Sequence, residues 1–502
     1  MDKYTPTIGL EVHVELKTRT KMFCSCLNDP KETRPNKNVC PVCLAHPGTL
    51  PVINVEAVKK TVKVGLAMNG KIAKKSFFDR KNYFYPDLPK GYQISQYQHP
   101  LVLGGQLVIL NEAGKEKKIQ ITRIHLEEDT GKLSHQDKSS LVDYNRAGVP
   151  LMELVTEPVI HSGFEARRFA EELRLLLRYL DVSDADMESG QMRIEPNISI
   201  SKTGKLGIKV EVKNLNSFRS VEDSINFEIQ RQTEVLESGG KIHQHNRGWN
   251  QEKSETFEQR SKEEAHDYRY FPEPDLPPLV ADAPAENGEI LINTKEIEKQ
   301  LPELPWQKRE RLAKLYGLEK DQVELLVQDM DFCDFFEKTV SEMKMFDQDH
   351  KSEPEAGEAL IVFNVLASDV RGTMKAVAAQ MFPTELIDFS NPRITPVNLA
   401  HLIEFFHQKK ISSRVLKDVL LEMFETGKDP EEIISSKNLL QMTDDSMIEA
   451  LVLKVIKDNP APSADFRSGK EQALQFLVGK IMAQTKGRAN PQTIQELIRK
   501  NI

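Results

Sequence analysis

Thr7-Ile8-Gly9-Leu10-Glu11-Val12-His13-Val14-Glu15-Leu16 alternates strictly between apolar and other positions. Successive side chains of a strand point to opposite faces. Ile8, Leu10, Val12, Val14 and Leu16 therefore share one face, and Glu11, His13 and Glu15 the other. The pattern predicts a half-buried strand. Its apolar side suits a core. Its other side carries only acids and one imidazole, whereas a solvated strand face usually mixes Lys, Thr or Ser with acids.

The segments around this strand continue the pattern. Leu101 to Asn111 and Lys118 to Glu128 read as strands joined by a turn at Ala113-Gly114. Ile194 to Ser201 and Leu206 to Val212 read as a hairpin around Lys202-Thr203-Gly204-Lys205. Helical spacing predicts Val55 to Met68, Gly163 to Leu180 and Ser217 to Ser238 as helices. Gly239 to His266 is polar and reads as a mobile loop. Residues 1 to about 293 are therefore α+β with a largely antiparallel sheet, closed by Pro272, Pro274, Pro277, Pro278 and Pro284.

Beyond this boundary the strand pattern stops. Residues 294–394 read as a helical domain, and 395–502 as a small helical tail opened by Thr395-Pro396 as cap and first helical residue. The tail's end differs in charge from the rest. After Asp465, seven cations (Arg467, Lys470, Lys480, Lys486, Arg488, Arg499 and Lys500) face two acids (Glu471 and Glu496). Seven minus two is +5, in a chain of net charge −8. Lys480, Lys486 and Arg488 are the candidates for a phosphate backbone, and a solvated helical face is the competing reading.

Composition sets bounds. A chain of 502 residues is too long for one core. Its 39% hydrophobic and 29% charged residues exclude wholesale disorder. No run of eighteen apolar residues predicts a membrane span, and the start lacks a secretory pattern. Four of the five cysteines, Cys24, Cys26, Cys40 and Cys43, fall within twenty residues. That spacing suits a closed, structural Cys₄ zinc site in a reducing compartment, hence the cytoplasm. The fifth, Cys333, lies between Asp331 and Asp334. Those acids disfavour a thiolate nucleophile there.

Three stretches could carry chemistry. The face of Glu11 and His13 can be joined by the acid set Glu127-Glu128-Asp129 and by Glu153. Carboxylates with one imidazole suit Mg²⁺ or Mn²⁺, and Mg²⁺ with few protein ligands is usual in ATP chemistry. The stretch Phe78 to Tyr92 sets the adjacent cations Arg80 and Lys81 among aromatics and turn residues, which suits phosphate and a stacked base or a buried aromatic loop. Lys209-Val210-Glu211-Val212-Lys213-Asn214-Leu215-Asn216-Ser217 runs a strand into a helix start, for an N-cap or a substrate contact. There is no P-loop, no G-x-S-x-G elbow and no amidase-type Ser–Ser–Lys segment.

Six motifs together resemble one family, the B subunit of the bacterial glutamyl/aspartyl-tRNA(Gln/Asn) amidotransferase. They are Ile8 to Leu16, Asp79 to Asp87, Leu126-Glu127-Glu128-Asp129, Val212 to Ser217, Asp267-Tyr268-Arg269-Tyr270-Phe271-Pro272-Glu273-Pro274-Asp275 and Phe476 to Met482. The resemblance spans essentially the whole chain. It implies a cradle domain, a helical domain and a tail that meets tRNA. It implies ATP-dependent amidation of Glu-tRNA(Gln) or Asp-tRNA(Asn). It also implies a heterotrimer with a glutaminase A subunit and a small C subunit, and an encounter with a mischarging synthetase. Glu11, His13, Glu127, Glu128 and Glu153 become the catalytic set. Arg80, Lys81, Tyr83, Tyr85, Glu195, Glu211 and Lys213 become the ATP and phosphate set. One departure stands out: Arg193-Ile194-Glu195-Pro196-Asn197 replaces an Arg-Cys-Asp-Ala-Asn type segment, making one carboxylate a methylene longer. A non-catalytic tRNA-binding scaffold is the alternative, and converging acids are what would argue against it.

Overall fold

The computed structural model describes residues 4–136, 138–259, 268–284, 288–346, 356–382, 387–441, 445–485 and 487–502. The stretch Thr5–Glu15 is the strand its alternation predicts and lies near the middle of a ten-stranded sheet. Ile8, Leu10, Val12, Val14 and Leu16 are each 0–1% exposed. On one side the central strand pairs antiparallel with Met192–Ser201, which is followed outward by Val210–Lys213, Asn246–Asn250 and Glu255–Glu258. On the other it pairs antiparallel with Pro150–Thr156. Glu116–Glu128, Val102–Leu103 and Lys71–Ile72 follow, and Gln106–Leu110 forms a hairpin with Glu116–Glu128. Only Val210–Lys213 with Asn246–Asn250 is parallel within this sheet.

Three helices serve the sheet, each close to its predicted bounds. Val55–Ala67 is capped by Asn54, Gly163–Tyr179 by Ser162 and Phe218–Glu237 by Ser217. The last two pack on each other, with Gly163–Tyr179 also against Gln106–Leu110 and Phe218–Glu237 against Met192–Ser201. Phe169, Leu173 and Leu176 are fully buried, so the helical stripe and the strand stripe build one core. The opposite, polar face of the sheet is left for chemistry.

Two expectations need correction. Leu206 and Ile208 are exposed, and the strand begins only at Val210. The region from Gly239 is not simply a mobile loop: Asn246–Asn250 and Glu255–Glu258 extend the sheet, and Trp249 is 6% exposed. Residues 260–267 lie outside the described residues.

The chain divides into two compact units, Met1–Pro305 and Trp306–Ile502. The first includes the short helix Thr294–Lys299, packed on Val55–Ala67. Among its described residues the second is entirely helical. Pro396–His407, capped by Thr395 as predicted, packs on Met330–Phe346, and Ser413–Thr426 packs on Arg371–Met381. After residue 441 the packing changes partners. Asp445–Asp458, Pro460–Arg467, Glu471–Gln484 and Pro491–Asn501 pack on one another around Val452, Val455, Leu474, Leu477, Ile481, Ile494 and Ile498. No described helix is long and apolar enough to cross a membrane.

Candidate active site

Strand register assembles the site. Within the sheet His13 faces Glu153 on one neighbouring strand and Arg193 on the other, and Glu153 faces His125. Glu11 faces Glu195, and Asn197 faces Glu211. Cross-strand partners share a face, so one polar surface runs across five strands from His125 to Lys213. It floors a cavity of about 430 Å³. Six carboxylates line it (Glu11, Glu127, Asp129, Glu153, Glu195 and Glu211) against four fixed cations (Lys81, Arg123, Arg193 and Lys213).

His13 Nε2 lies 3.4 Å from Glu153, 3.6 Å from Glu127 and 3.7 Å from Glu11. Burial alone would lower the His13 pKa. The hydrogen bond to Glu153 and the surrounding acids outweigh it and lift it to about 9. Glu11 is pushed up to about 7, first by burial and then by Glu153. Glu153 goes the other way. Burial opposes its charge, but His125 and His13 hold its carboxylate well below the usual range. These shifts are what crowded acids show without a metal, and such a donor set suits a hard divalent cation.

A second cluster flanks this one. Lys213 Nζ bonds Glu195 at 2.7 Å and lies 3.3 Å from Glu211. Burial opposes the Lys213 charge, but the two acids raise its pKa, so it stays charged. Asp129 is held by Arg193 at 2.6 Å and Arg146 at 3.5 Å. Beside it, Glu15 is pushed up to about 8 by burial and by the Asp129 charge.

The opposite wall is aromatic. Tyr97 and Tyr270 stack at 4.3 Å, Tyr268 meets Tyr270 edge-on at 6.1 Å, and Tyr83 meets Tyr268 at 6.0 Å. Lys81 Nζ lies 4.9 Å over Tyr268. Burial opposes its charge, but Glu127, Tyr270 and Glu153 raise its pKa.

Three predicted residues stand elsewhere. Arg80 and Lys81 are successive strand residues and point to opposite faces. Arg80 makes a bidentate pair with Glu273 (2.7 and 2.8 Å), reaches Asp275 and covers Tyr92, so it braces the wall rather than lining the cavity. Glu128 likewise faces away from Glu127. It pairs with Lys90 at 2.6 Å and accepts from the Ile94 N–H. Tyr85 is 52% exposed and does not line the cavity. Conversely, sequence reasoning missed His125, Arg123, Arg193, Gln93, Gln96, Tyr97, Tyr268 and Tyr270 as lining, whereas Asp129, taken with Glu127 and Glu128 as one acid set, does line it. The alternation of Arg123, His125 and Glu127 was the available signal for two of them.

The cysteines lie on the loop after the central strand. All four sulfurs sit within 4.8 Å of one another, and the Cys40 and Cys43 sulfurs are 3.9 Å apart. A tetrahedron with Zn–S bonds of about 2.3 Å has edges of about 3.8 Å, so the quartet fits zinc. Its hydrogen bond to Cys24 brings the Cys43 pKa down to about 4 and pushes Cys24 up. Fully buried Lys21 donates to Cys43 Sγ at 3.7 Å. The Met22 N–H donates to the Gly148 carbonyl at 2.7 Å, and a Cβ at Gly148, whose φ is 85°, would meet Lys21, Cys43 and Glu128, so the cysteine loop lies close against this backbone. Cys333 is buried, and burial followed by Glu337 pushes its thiol up to about 12; the direction is the expected one, but the acid is Glu337 rather than the flanking Asp331 and Asp334.

In the tail, Lys480 is exposed on Glu471–Gln484. Arg488 is half-buried, donating to the Thr485 and Asn438 carbonyls. Lys486 lies outside the described residues.

Known proteins share this architecture's sequence. The family described as the GatB/GatE catalytic domain matches residues 6–285, and that described as the GatB domain matches 368–502. The chain is 45% identical to the B subunit of the aspartyl/glutamyl-tRNA(Asn/Gln) amidotransferase of Caldicellulosiruptor saccharolyticus over 506 aligned positions, which cover 100% of this chain and 99% of the relative. It is 44% identical to the corresponding B subunit of Thermotoga maritima over 506 positions and 44% identical to that of Persephonella marina over 499. Each alignment covers 99% of both chains. Similarity of this level from end to end, over a cavity built by the motifs that first suggested the resemblance, shows that the chain belongs to the family of aspartyl/glutamyl-tRNA(Asn/Gln) amidotransferase B subunits.

Proposed function

We propose that the cavity activates the side-chain carboxylate of Glu-tRNA(Gln) or Asp-tRNA(Asn) with ATP for amidation. The carboxylate oxygen attacks the γ-phosphorus, and the bond to the ADP oxygen breaks. Ammonia then attacks the acyl carbon, and phosphate leaves with the oxygen. Without phosphorylation the leaving group would be oxide. The observation that carries the reading is the convergence of Glu11, His13, Glu127 and Glu153 in one acidic cavity with Lys81 and Lys213 beside it. A scaffold has no need for buried acids placed against one another.

Lys81, Lys213, Arg123 and Arg193 supply fixed positive charge for phosphates, and the tyrosine wall supplies a stacking surface for a base. Glu11, His13, Glu127 and Glu153 would hold Mg²⁺, which when bound offsets the charge of ATP and of the substrate carboxylate. The cysteine quartet would hold a structural Zn²⁺. Ammonia comes from a glutaminase A subunit, with a small C subunit completing a cytoplasmic heterotrimer. Residues 395–502 serve tRNA, with Lys480, Lys486 and Arg488 as candidate contacts. A mischarging synthetase supplies the substrate.

The test is amide formation on mischarged tRNA with ATP and ammonium chloride, with and without the A subunit. ATP-dependent Gln-tRNA or Asn-tRNA is expected. tRNA binding with no amide formed, even with the A subunit and glutamine present, would leave only the scaffold.

A further inference from the structure

Lys21 is a buried charge without a partner of the usual kind. Its side chain is fully enclosed, at 0% exposure. Among the described residues no carboxylate lies within 4.0 Å of its ammonium. Glu128, which like Lys21 borders Gly148, is already paired with Lys90 at 2.6 Å. A buried charge is costly unless a group of opposite sign stands beside it. The ammonium donates instead to Cys43 Sγ at 3.7 Å and to the Tyr144 carbonyl at 3.1 Å. The carbonyl holds it in place but offers only a dipole. The compensating charge therefore has to come from the sulfur side.

The quartet can supply it. Four thiolates around one divalent zinc leave a net negative charge. Cys24, Cys26 and Cys40 are part-exposed, so water shares the charge on their sulfurs. Cys43 is buried, and the Cys40 N–H, at 3.2 Å, is a second donor to its sulfur. Lys21 thus meets the thiolate that water reaches least.

Resting on the zinc reading above, we propose that Lys21 is the counter-ion of the metal-bound quartet. Its ammonium offsets the Cys43 thiolate and raises the affinity of the loop for zinc. Partners that stand behind metal ligands in this way change affinity by about 10- to 100-fold. A hydrogen bond without the charge is the competing role. Gln at this position separates the two, because it can donate to sulfur but carries no charge.

The experiment uses the full chain. Zinc affinity is measured by competition with a chromophoric chelator for the parental protein, Lys21→Met and Lys21→Gln, with circular dichroism as the check on folding. Both variants should bind zinc about 10- to 100-fold more weakly. Either variant, if folded and holding zinc at parental affinity, overturns the counter-ion. A second measurement needs no variant. Nuclear magnetic resonance of the zinc-loaded parental chain, isotope-labelled at the lysine Nζ, should show an ammonium shielded from exchange with water. Its signal should move when Cd²⁺ replaces Zn²⁺. No such signal, or one indifferent to the metal, overturns the counter-ion as well. A parental chain that binds no zinc removes the zinc reading and the counter-ion together. Zinc held equally well with and without the Lys21 ammonium keeps the zinc reading and loses only the counter-ion.

Discussion

Glu127→Gln and Glu128→Gln should separate two adjacent acids that the sequence leaves undecided. Glu127 faces the cavity between His13 and His125, whereas Glu128 faces Lys90 and the Ile94 N–H. Glu127→Gln should slow tRNA-dependent phosphate release from ATP by at least about 10²-fold, because groups that position charge act on the transition state. Glu128→Gln should keep most of that rate. It should cost roughly 3 kcal/mol of stability, because breaking a buried pair strands the partner charge. Steady-state kinetics and denaturant unfolding check both, and equal kinetic losses would mean the face assignment is wrong. Glu11→Ala or His13→Ala should behave like Glu127→Gln while leaving tRNA affinity nearly unchanged. At this scale, alternation along a strand carries most of the site: it sets Glu11 with His13, and Glu127 with Arg123 and His125. It does not say which face of Asp79–Asn82 turns inward, so Arg80 and Lys81 were equal candidates until Glu273 claimed Arg80.

The elements are legible where capping and periodicity agree. Asn54, Ser162, Ser217 and Thr395 all cap helices near their predicted starts. The strands beyond Gly239 were not legible. Asn246–Asn250 is mostly polar, and its pairing with Val210–Lys213 is a long-range event that no local pattern announces. The convergence of the four cysteines was legible from spacing alone, and the zinc proposed for them carries a prediction. Stripping zinc with a chelator should lower the melting temperature, because metal affinity here is folding free energy. An unchanged melt after zinc loss would mean the loop is held by its hydrogen bonds alone. Within the second unit, burial opposes the Glu337 charge, but Arg311 at 2.5 and 3.0 Å and Lys308 hold its pKa below the ordinary value. A depressed folded pKa contributes stability above the unfolded value of about 4.3 and loses it as pH falls through the folded one. Glu337→Gln should therefore cost up to about 1 kcal/mol near neutral pH. The difference should vanish in acid, as thermal melts across pH would show.

Over the whole molecule, charge and packing together say where tRNA affinity should reside. A chain of net charge −8 repels phosphate on average, so binding needs a local cationic surface. The +5 of the last residues reads as that surface, but part of it is already paired. Arg499 bonds Glu471 at 3.0 Å, Lys470 bonds Asp465 at 2.8 Å, and Arg488 is spent on carbonyls. Lys480 remains exposed, its ammonium 5.4 Å from the Phe476 ring centroid. The boundary also matters. A cut at 395 removes Pro396–His407 from its packing on Met330–Phe346, whereas residues 442–502 contain four helices with their own apolar core. Deleting 442–502 should weaken tRNA binding and leave both the sheet unit and the helices before residue 442 folded, as circular dichroism and limited proteolysis would show. Lys480→Gln should flatten the dependence of log K on log salt by about 0.7–0.9 if it touches one phosphate. Arg488→Ala should instead lower the thermal stability of the tail with less change in slope, because its guanidinium ties the turn after Glu471–Gln484 to Asn438. Titrations with tRNA at several salt concentrations distinguish the two. If Arg488→Ala flattens the slope and Lys480→Gln does not, the phosphate path runs along the turn rather than along the exposed helix.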